Sequence, residues 1–559
     1  MATSFRPPFS NGQTGREPRL EQLAGEERWT EIVGEMERSP LRDSSSDYYY
    51  GIALAQLGRY DEARSVFARE ERLHPKDKRF LVELGGIAFR QKNYPQAARW
   101  LERALAIDPR DSYASDFLAT IYFLEGNLEA ALKYWNRSDK PRLENVSTPA
   151  GLKIRPALVD RAFLFSPAGP LRLGDFLASK KRVSGLEVFP DSSFELAAEE
   201  SGKYDLNFHA RELNGFGPNR WAALVSVFRG VFYQTVYPDY FNVRGKALNV
   251  NSLLRWDADK RRLALSVSSP LRANPRYRWR LGVDLRDENW DIVPSFKGPA
   301  PLLGALELRT QAISGGVSSF NAGRWDWSLG GELSGREYRS VFRGTALPPS
   351  ILLSGNQLKQ TASLKRDLLR VPEKRFVTTA AISDELAGIW SSPRHTSQKV
   401  KGSLLARWFP RMKGEDYAIR EEVRAGKTFG EVPFDELFML GLERDNDLWL
   451  RAHIATRDGR KGSAPLGRNY FLSNWDITKN IYNHGIFGIA LTPFLDTGKI
   501  TDPVAGLGSN EWLWDTGAQA NFTILGVGFT FNYGKDLRSG ANAFYFLAGR
   551  QKQSLETGR

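Results

Sequence analysis

The histidines His74, His209, His395, His453 and His484 are the chain's ready general bases and metal ligands. No two stand four apart, as a metal-binding pair on a helix would. With no cysteine in 559 residues, thiolate ligands and thiol nucleophiles are excluded. There is no glycine-rich phosphate loop and no nucleophile elbow. Gly414, Gly426 and Gly430 read as turn or kink glycines. The acidic neighbours Glu421-Glu422 and Asp384-Glu385 fall in or at the end of alternating segments. There adjacent side chains point to opposite faces, so neither makes a carboxylate dyad. No enzyme, no metal and no cofactor is expected. What remains is charge in two short pieces. One is Leu450-Arg451-Ala452-His453, inside a long polar stretch. The other is Phe494-Leu495-Asp496-Thr497-Gly498, at the end of a strongly alternating strand.

The elements that position these pieces can be read from composition and period. The length is too great for one core. The formal net charge of +13 would suit nucleic acid or anionic lipid. No basic tract carries interleaved stacking aromatics, so nucleic acid is not an expected partner. Mean hydropathy is −0.42, and no apolar run approaches the ~18 residues of a spanning helix. A barrel is not excluded, because its strands hide their apolar face in alternation. Met1-Ala2-Thr3-Ser4-Phe5-Arg6 has no basic region leading into an apolar one, so an export signal is not expected in this stretch.

Residues 1–148 show a period of 34. Ala63, Ala97 and Ala131 keep it, as do Tyr60, Tyr94 and Leu128, and Phe67, Leu101 and Trp135. Pro75 and Pro109 stop successive units. Gly58 to Ala63 and Gly126 to Ala131 resemble the tetratricopeptide turn. Alanine belongs where two helices of a unit touch, and the aromatic fills the groove to the next unit. Tyr60, Ala63, Tyr94, Ala97, Ala131 and Trp135 are therefore expected packing residues of an all-α solenoid. One degenerate helix from Leu20 to Arg38, with Trp29, is expected to cap it. Such arrays usually hold a protein or peptide partner.

Residues 157–216 lose the helical period. Arg161–Phe165 predicts a strand and Leu171–Val183 a basic helix. Residues 193–198 and 203–210 predict a hairpin around Ser201-Gly202. That order resembles a single POTRA domain, a small α/β module. From Trp221 the chain becomes short period-2 segments between turns. In Arg276–Arg286 the residues Tyr277, Trp279, Leu281, Val283 and Leu285 share one face, and charged residues and Gly282 the other. A charged, glycine-containing face opposite an apolar face with aromatics at one end is the pattern of a lumen and a lipid surface. Strands are expected near 221–236, 244–256, 261–269, 276–286, 303–313, 322–334, 336–343, 358–368, 374–384, 399–409, 416–427, 469–480, 485–496, 511–521, 523–534 and 541–550. They would form a sixteen-stranded antiparallel transmembrane barrel over 217–550, with a polar tail at 551–559.

The two charged pieces, in this order and between these strands, resemble the outer-membrane assembly-factor superfamily (BamA- and TamA-like proteins, also called bacterial surface antigens). Pro433 to Gly441 is similar to that family's approach to its Arg-Gly loop, and Gly467 to Leu472 to the strand that leaves it. The resemblance implies a loop folded back into the barrel, with Arg451 meeting Asp496 on the wall. Leu450, Ala452, His453, Phe494 and Gly498 complete the two motifs. A guanidinium in a narrow lumen is costly unless a carboxylate satisfies it. Ala452 departs from the family's glycine, and the polar tail from its terminal aromatic. His453 is expected to be a polar loop residue. The resemblance further implies an outer-membrane location, with the helical and POTRA-like domains in the periplasm. Membrane lipid, periplasmic or envelope proteins and unfolded polypeptide clients are the partners it suggests. Insertion or translocation of polypeptide is the implied function. A repeat-bearing exopolysaccharide export porin and an envelope scaffold are the alternatives.

Overall fold

The computed structural model describes residues 17–38, 43–293, 301–390, 393–484, 487–502, 507–509 and 511–550. The polar tail expected at 551–559 lies outside them. The chain divides into two compact units, Met1–Lys140 and Pro141–Arg559.

The first unit is a row of helices: α1 (Glu17–Gly25), α2 (Trp29–Glu37), α3 (Ser44–Gln56), α4 (Tyr60–Leu73), α5 (Lys78–Arg90), α6 (Tyr94–Ile107), α7 (Ser112–Leu124) and α8 (Leu128–Trp135). The single helix expected from Leu20 to Arg38 is two, broken where Glu27 takes a left-handed backbone. Carboxylates or amides of Asp43, Asp77, Asn93, Asp111 and Asn127 accept the first free amides of α3, α5, α6, α7 and α8. Between the two helices of each unit the chain turns at Gly58, Lys92 and Gly126, all at positive φ and again 34 apart. Ala63, Ala97 and Ala131 are fully buried, as are Phe67 and Leu101, and Trp135 is nearly so. A side chain at Gly51 would strike the Phe67 ring, and one at Gly85 would crowd Leu101. Tyr60 packs on the same core from its edge, and the Tyr94 ring lies 5.5 Å from that of Phe89.

The second unit opens with a small α/β module: β1 (Leu143–Ser147), α9 (Pro156–Ala162), α10 (Leu173–Gly185), β2 (Asp191–Ala198) and β3 (Tyr204–Arg211). The sheet order is β1-β3-β2, with β1 parallel to β3. Its core is aromatic, Phe163, Phe165, Phe176, Phe194 and Phe208 meeting ring to ring. Two expectations are corrected here. The strand expected at Arg161–Phe165 begins as the end of α9, which Pro156 starts at its first turn. The module's first strand is β1, which lies within the stretch assigned to the helical domain.

Next come α11 (Arg220–Phe228) and the strands β4 (Thr235–Val236), β5 (Asn249–Arg255), β6 (Lys260–Leu271), β7 (Asn274–Ile292), β8 (Gly304–Ala322), β9 (Trp325–Arg339), β10 (Gly355–Val371), β11 (Phe376–Trp390), β12 (His395–Trp408) and β13 (Tyr417–Gly430). A long loop carries the two-residue strands β14 (Phe438–Met439), β15 (Thr456–Arg457), β16 (Arg460–Lys461) and β17 (Leu466–Gly467). The wall ends with β18 (Asn469–His484), β19 (Phe487–Thr501), β20 (Leu513–Ile524), β21 (Val527–Asp536) and β22 (Asn542–Arg550). Neighbouring wall strands pair antiparallel, β13 joins β18 directly beneath the loop, and the sheet closes into a barrel.

The wall differs from the sixteen strands expected. Residues 322–334 and 336–343 are one strand, β9. Gly335 between them is paired on both sides, with Gln311 and Asn356. Most of 221–236 is helical, because Trp221, Leu224 and Phe228 recur at helical spacing and Asn219 caps the start. Fifteen strands therefore form the described wall: seventeen enter the closed sheet, and β15 and β16 belong to the loop. Alternation along the wall is as read: Leu281, Val283 and Leu285 are exposed outside, while Arg278 is buried within.

Candidate functional site

The loop of residues 431–468 lies inside the barrel, and its own sequence shapes it. The Asn446 side-chain amide donates to the carbonyls of Met439 (2.9 Å) and Gly441 (2.8 Å). Leu442 and His453 pair across the loop, the Leu442 amide donating to the His453 carbonyl (2.7 Å). Leu440, Leu448 and Leu450 pack with Phe438 on Tyr470, Leu472, Ile500 and Leu513 of the wall. This apolar seat sets Arg451 at one height against β18–β21.

The wall there carries an acidic row. In β19 the residues Phe494, Asp496 and Gly498 are two apart, so all three face inward while Leu495 faces out. Register then places Asn474 opposite Asp496, Asp496 opposite Asp515, and Asp515 opposite Asp536. Three carboxylates side by side across adjacent strands repel one another. Two basic side chains of the loop face the row: Arg451 offsets the repulsion, and His453 adds to that when it is protonated. The Arg451 guanidinium holds Asp496 with two donors, Nε at 2.9 Å and Nη2 at 2.6 Å. Its Nη1 donates to Asp476 at 2.6 Å, and the group stacks on the Phe494 ring at 3.9 Å. Asn474 donates to Asp496 as well (2.7 Å). The backbone amides of Arg451 and Ala452 donate to Asp496 (3.1 Å) and Asp515 (2.6 Å). Asp496 and Asp515 are wholly buried and Arg451 is 4 % exposed, so these charges have no recourse to water.

Glycines make the fit possible. A side chain on Gly534 would collide with the Arg451 carbonyl, and one on Gly517 with the Phe494 ring. One on Gly498 would crowd Leu440 and Leu450. Ala452, by contrast, is absent from the left-handed residues, so its methyl costs the backbone nothing.

His453, expected to be only a polar loop residue, is buried in the row. Its Nδ1 is 3.1 Å from Asp515 and its Nε2 4.0 Å from Asp536. Ligand atoms of His453, Asp515 and Asp536 lie within 4.8 Å of one another, which would also admit a cation. Each ring nitrogen faces its own carboxylate, an arrangement that an imidazolium satisfies by itself. Burial opposes that charge, but the bond to Asp515 and the nearby Asp536 and Asp496 outweigh it and raise the pKa above the ordinary histidine value.

The loop has two further anchors of opposite sign. Asp445 accepts from Arg255 of β5 (2.8 Å) and Arg262 of β6 (2.6 Å), with Lys461 of the loop at 3.5 Å. Lys461 in turn reaches Glu288 of β7 (2.7 Å). Glu436 meets Arg336 of β9 and Lys359 of β10, both at 2.9 Å, and Tyr338 donates to Asp435 (2.7 Å). Burial opposes the charge on both Asp445 and Glu436, yet the surrounding cations hold each well below the usual carboxylate range. Cationic loop against acidic wall, and acidic loop against basic wall, thus alternate around the barrel.

The structure brings together Arg451, Asp496, Leu450, Ala452, His453, Phe494 and Gly498. Sequence reasoning missed Asp476, Asp515, Asp536, Asp445 and Glu436. A signal existed for the wall acids, since each occupies an inward position of an alternating strand.

The helical region matches a protein-family model. Residues 50–112 fit the tetratricopeptide repeat. Among curated proteins none matches the chain. Among solved structures the chain is similar to CdiB from Escherichia coli, at 14% identity and a TM-score of 0.45, over 73% of this chain and 74% of that one. BamA from Haemophilus ducreyi lacking POTRA domains 1–3 aligns at 11% identity and 0.42, over 73% and 84%. CdiB from Acinetobacter baumannii aligns at 12% and 0.39, over 71% of each. None of these likenesses is close enough to carry a functional argument.

Proposed function

We propose that this protein is an outer-membrane barrel that assists the insertion or translocation of polypeptides. Its repeats and α/β module would gather partners or clients on the periplasmic side. The observation that supports this most is the loop pinned inside the barrel by Arg451 against Asp476 and Asp496. An exporter of a hydrophilic polymer needs a clear polar lumen. Here the lumen holds a segment anchored to β5–β7, to β9–β10 and to β18–β20 through buried charges, each of which is costly to strand. The apolar outer face, with Leu281, Ile313, Leu329 and Ile382 more than half exposed, suits lipid. The test is depletion of the protein followed by profiling of the outer membrane. Loss of a set of other barrel or surface proteins is the expected result. An unchanged protein profile with loss of a surface polysaccharide would overturn the reading in favour of a sugar exporter.

A further inference from the structure

Helix α11 is built inside out for a helix in water. Trp221, Leu224 and Phe228 lie three and four apart on one face and are 73%, 52% and 50% exposed. Val231 and Phe232 in the turn that follows extend the stripe, Phe232 being 81% exposed. The opposite face is small and polar: Ala222 and Ser226 are buried. The end of the helix is held in place, because buried Arg229 bonds Asp239 at 3.0 Å and stacks on Tyr237 at 3.9 Å.

The stripe does not stand alone. The Phe232 ring contacts Phe546 of β22, and Phe546 contacts Phe531 of β21 at 4.9 Å. Phe531, Tyr533 and Phe544 are exposed on the outside of those strands. The Tyr233 hydroxyl donates to the Ala548 carbonyl (2.9 Å), tying the turn to β22. The sheet order sets β22 beside β4, the short strand that follows α11. On its other face, α11 shares a cavity of about 400 Å³ with Arg211, the last residue of β3, with Leu213 just after it, and with the β20–β21 turn at Leu525-Gly526. The helix therefore sits at the module end of the barrel, where the sheet closes, with its apolar face continuous with the wall's outer aromatics.

We infer that α11 and its following turn form an interfacial lipid-binding element, seated at the headgroup–acyl boundary of the leaflet nearest the α/β module. Amphipathic helices bind there through an apolar face buried a few ångströms deep, ~5–10 Å, with polar residues above it. Exposed Arg220 in the first turn supplies a cation at headgroup level. A protein partner is the competing occupant, but continuity with the wall favours lipid. The inference rests on the barrel spanning a membrane, and the test separates the two claims.

The chain has no cysteine, so single labels can be placed in the full-length protein. Trp221→Cys, Leu224→Cys and Phe228→Cys would each carry a polarity-sensitive fluorophore. Leu281→Cys on the wall and Ser201→Cys in the module hairpin would serve as references. Each protein is reconstituted in phosphatidylcholine–phosphatidylglycerol vesicles containing shallow or deep nitroxide lipids. Compact migration before boiling checks that each variant is folded. The expected result is loss of fluorescence at 221, 224 and 228 with the shallow quencher, loss at 281, and none at 201. Quenching at 281 with positions 221, 224 and 228 behaving like 201 would overturn the lipid seat and leave the barrel standing. No quenching at 281 would overturn the membrane reading itself, and the lipid seat with it.

Discussion

The helical array and the barrel loop are held by opposite kinds of contact. In the helical array the centre is alanine, leucine and phenylalanine: Ala63, Ala97, Ala131, Phe67 and Leu101 are all fully buried. In the barrel a buried ionic network holds the loop: Arg451, His453, Asp496, Asp515 and Glu436 are each less than a tenth exposed, and the Asp445 side chain is 6 % exposed. Apolar packing is non-directional and loses energy in proportion to the area or volume disturbed. A buried charge network is directional, and removing one member strands another. The array should therefore degrade gradually under substitution, and the barrel loop should fail in steps.

The sharpest step is expected at Asp445, which two arginines and a lysine share. Asp445→Ala should cost about 3–5 kcal/mol of barrel stability, the penalty for stranding buried charge. The midpoint of urea unfolding in detergent, followed by loss of compact migration, measures it. A cost no larger than that of an exposed pair would erase the contrast between the units.

A milder loss is expected in the array. Residues 1–140 contain their own core and should form a soluble fragment, helical by circular dichroism. Ala97→Leu forces three methylene-sized groups into a filled contact and should cost ~1–3 kcal/mol. A broad thermal shift is expected, with helicity retained. A β-rich or disordered fragment would contradict the repeat assignment.

His453 gives a pH-dependent effect on the loop. Its folded pKa is raised above 6.5. Its stabilisation is thus complete below that value and is lost as pH rises through the folded pKa. Protease sensitivity of the loop should increase on the alkaline side. His453→Gln should be less stable at low pH and lose that slope. An unchanged pH profile in the variant would show that His453 carries no charge in the row.

The smallest effect belongs to Ala452→Gly. The methyl sits on an ordinary backbone, so glycine gains no relief and adds unfolded-state freedom, worth ~0.4–1 kcal/mol of destabilisation. A stabilised variant would show that the alanine strains the loop.

The same contrast explains what could be read in the sequence. Repeat packing recurs at a fixed interval, so Ala63, Ala97 and Ala131 announce one another. Wall strands announce their faces through alternation, which is why Leu281 and Arg278 were assigned to opposite sides. The family resemblance supplied both Asp496 on the wall and Arg451 as its partner, and the structure sets Phe494, Asp496 and Gly498, two apart, on one inward face. The acidic row was not legible, because Asp515 and Asp536 join Asp496 only through the register of successive hairpins. Asp445 and Glu436 were missed for a related reason, as their arginine partners lie far earlier in sequence, Arg255 and Arg262 more than 180 residues before Asp445 and Arg336 a hundred before Glu436. Helix α11 was taken for a strand because its exposed apolar residues imitate a lipid-facing segment. Its cap at Asn219 and its three-and-four spacing were the signals that could have corrected this.

The central claim is that the loop is held inside the barrel by Arg451 against the wall, and a double-mutant cycle tests it directly. Arg451→Ala and Asp496→Ala should each cost about 3–5 kcal/mol, because each strands the other's charge in a buried site. The double variant should cost clearly less than the sum, since the stranded partner has gone too. The readout is urea unfolding of the detergent-folded barrel, with loop proteolysis alongside. Strong coupling with the loop cut only in the single variants is the result expected. Costs that add within error, at the ~0–1 kcal/mol typical of a solvent-exposed pair, would contradict the pinned loop.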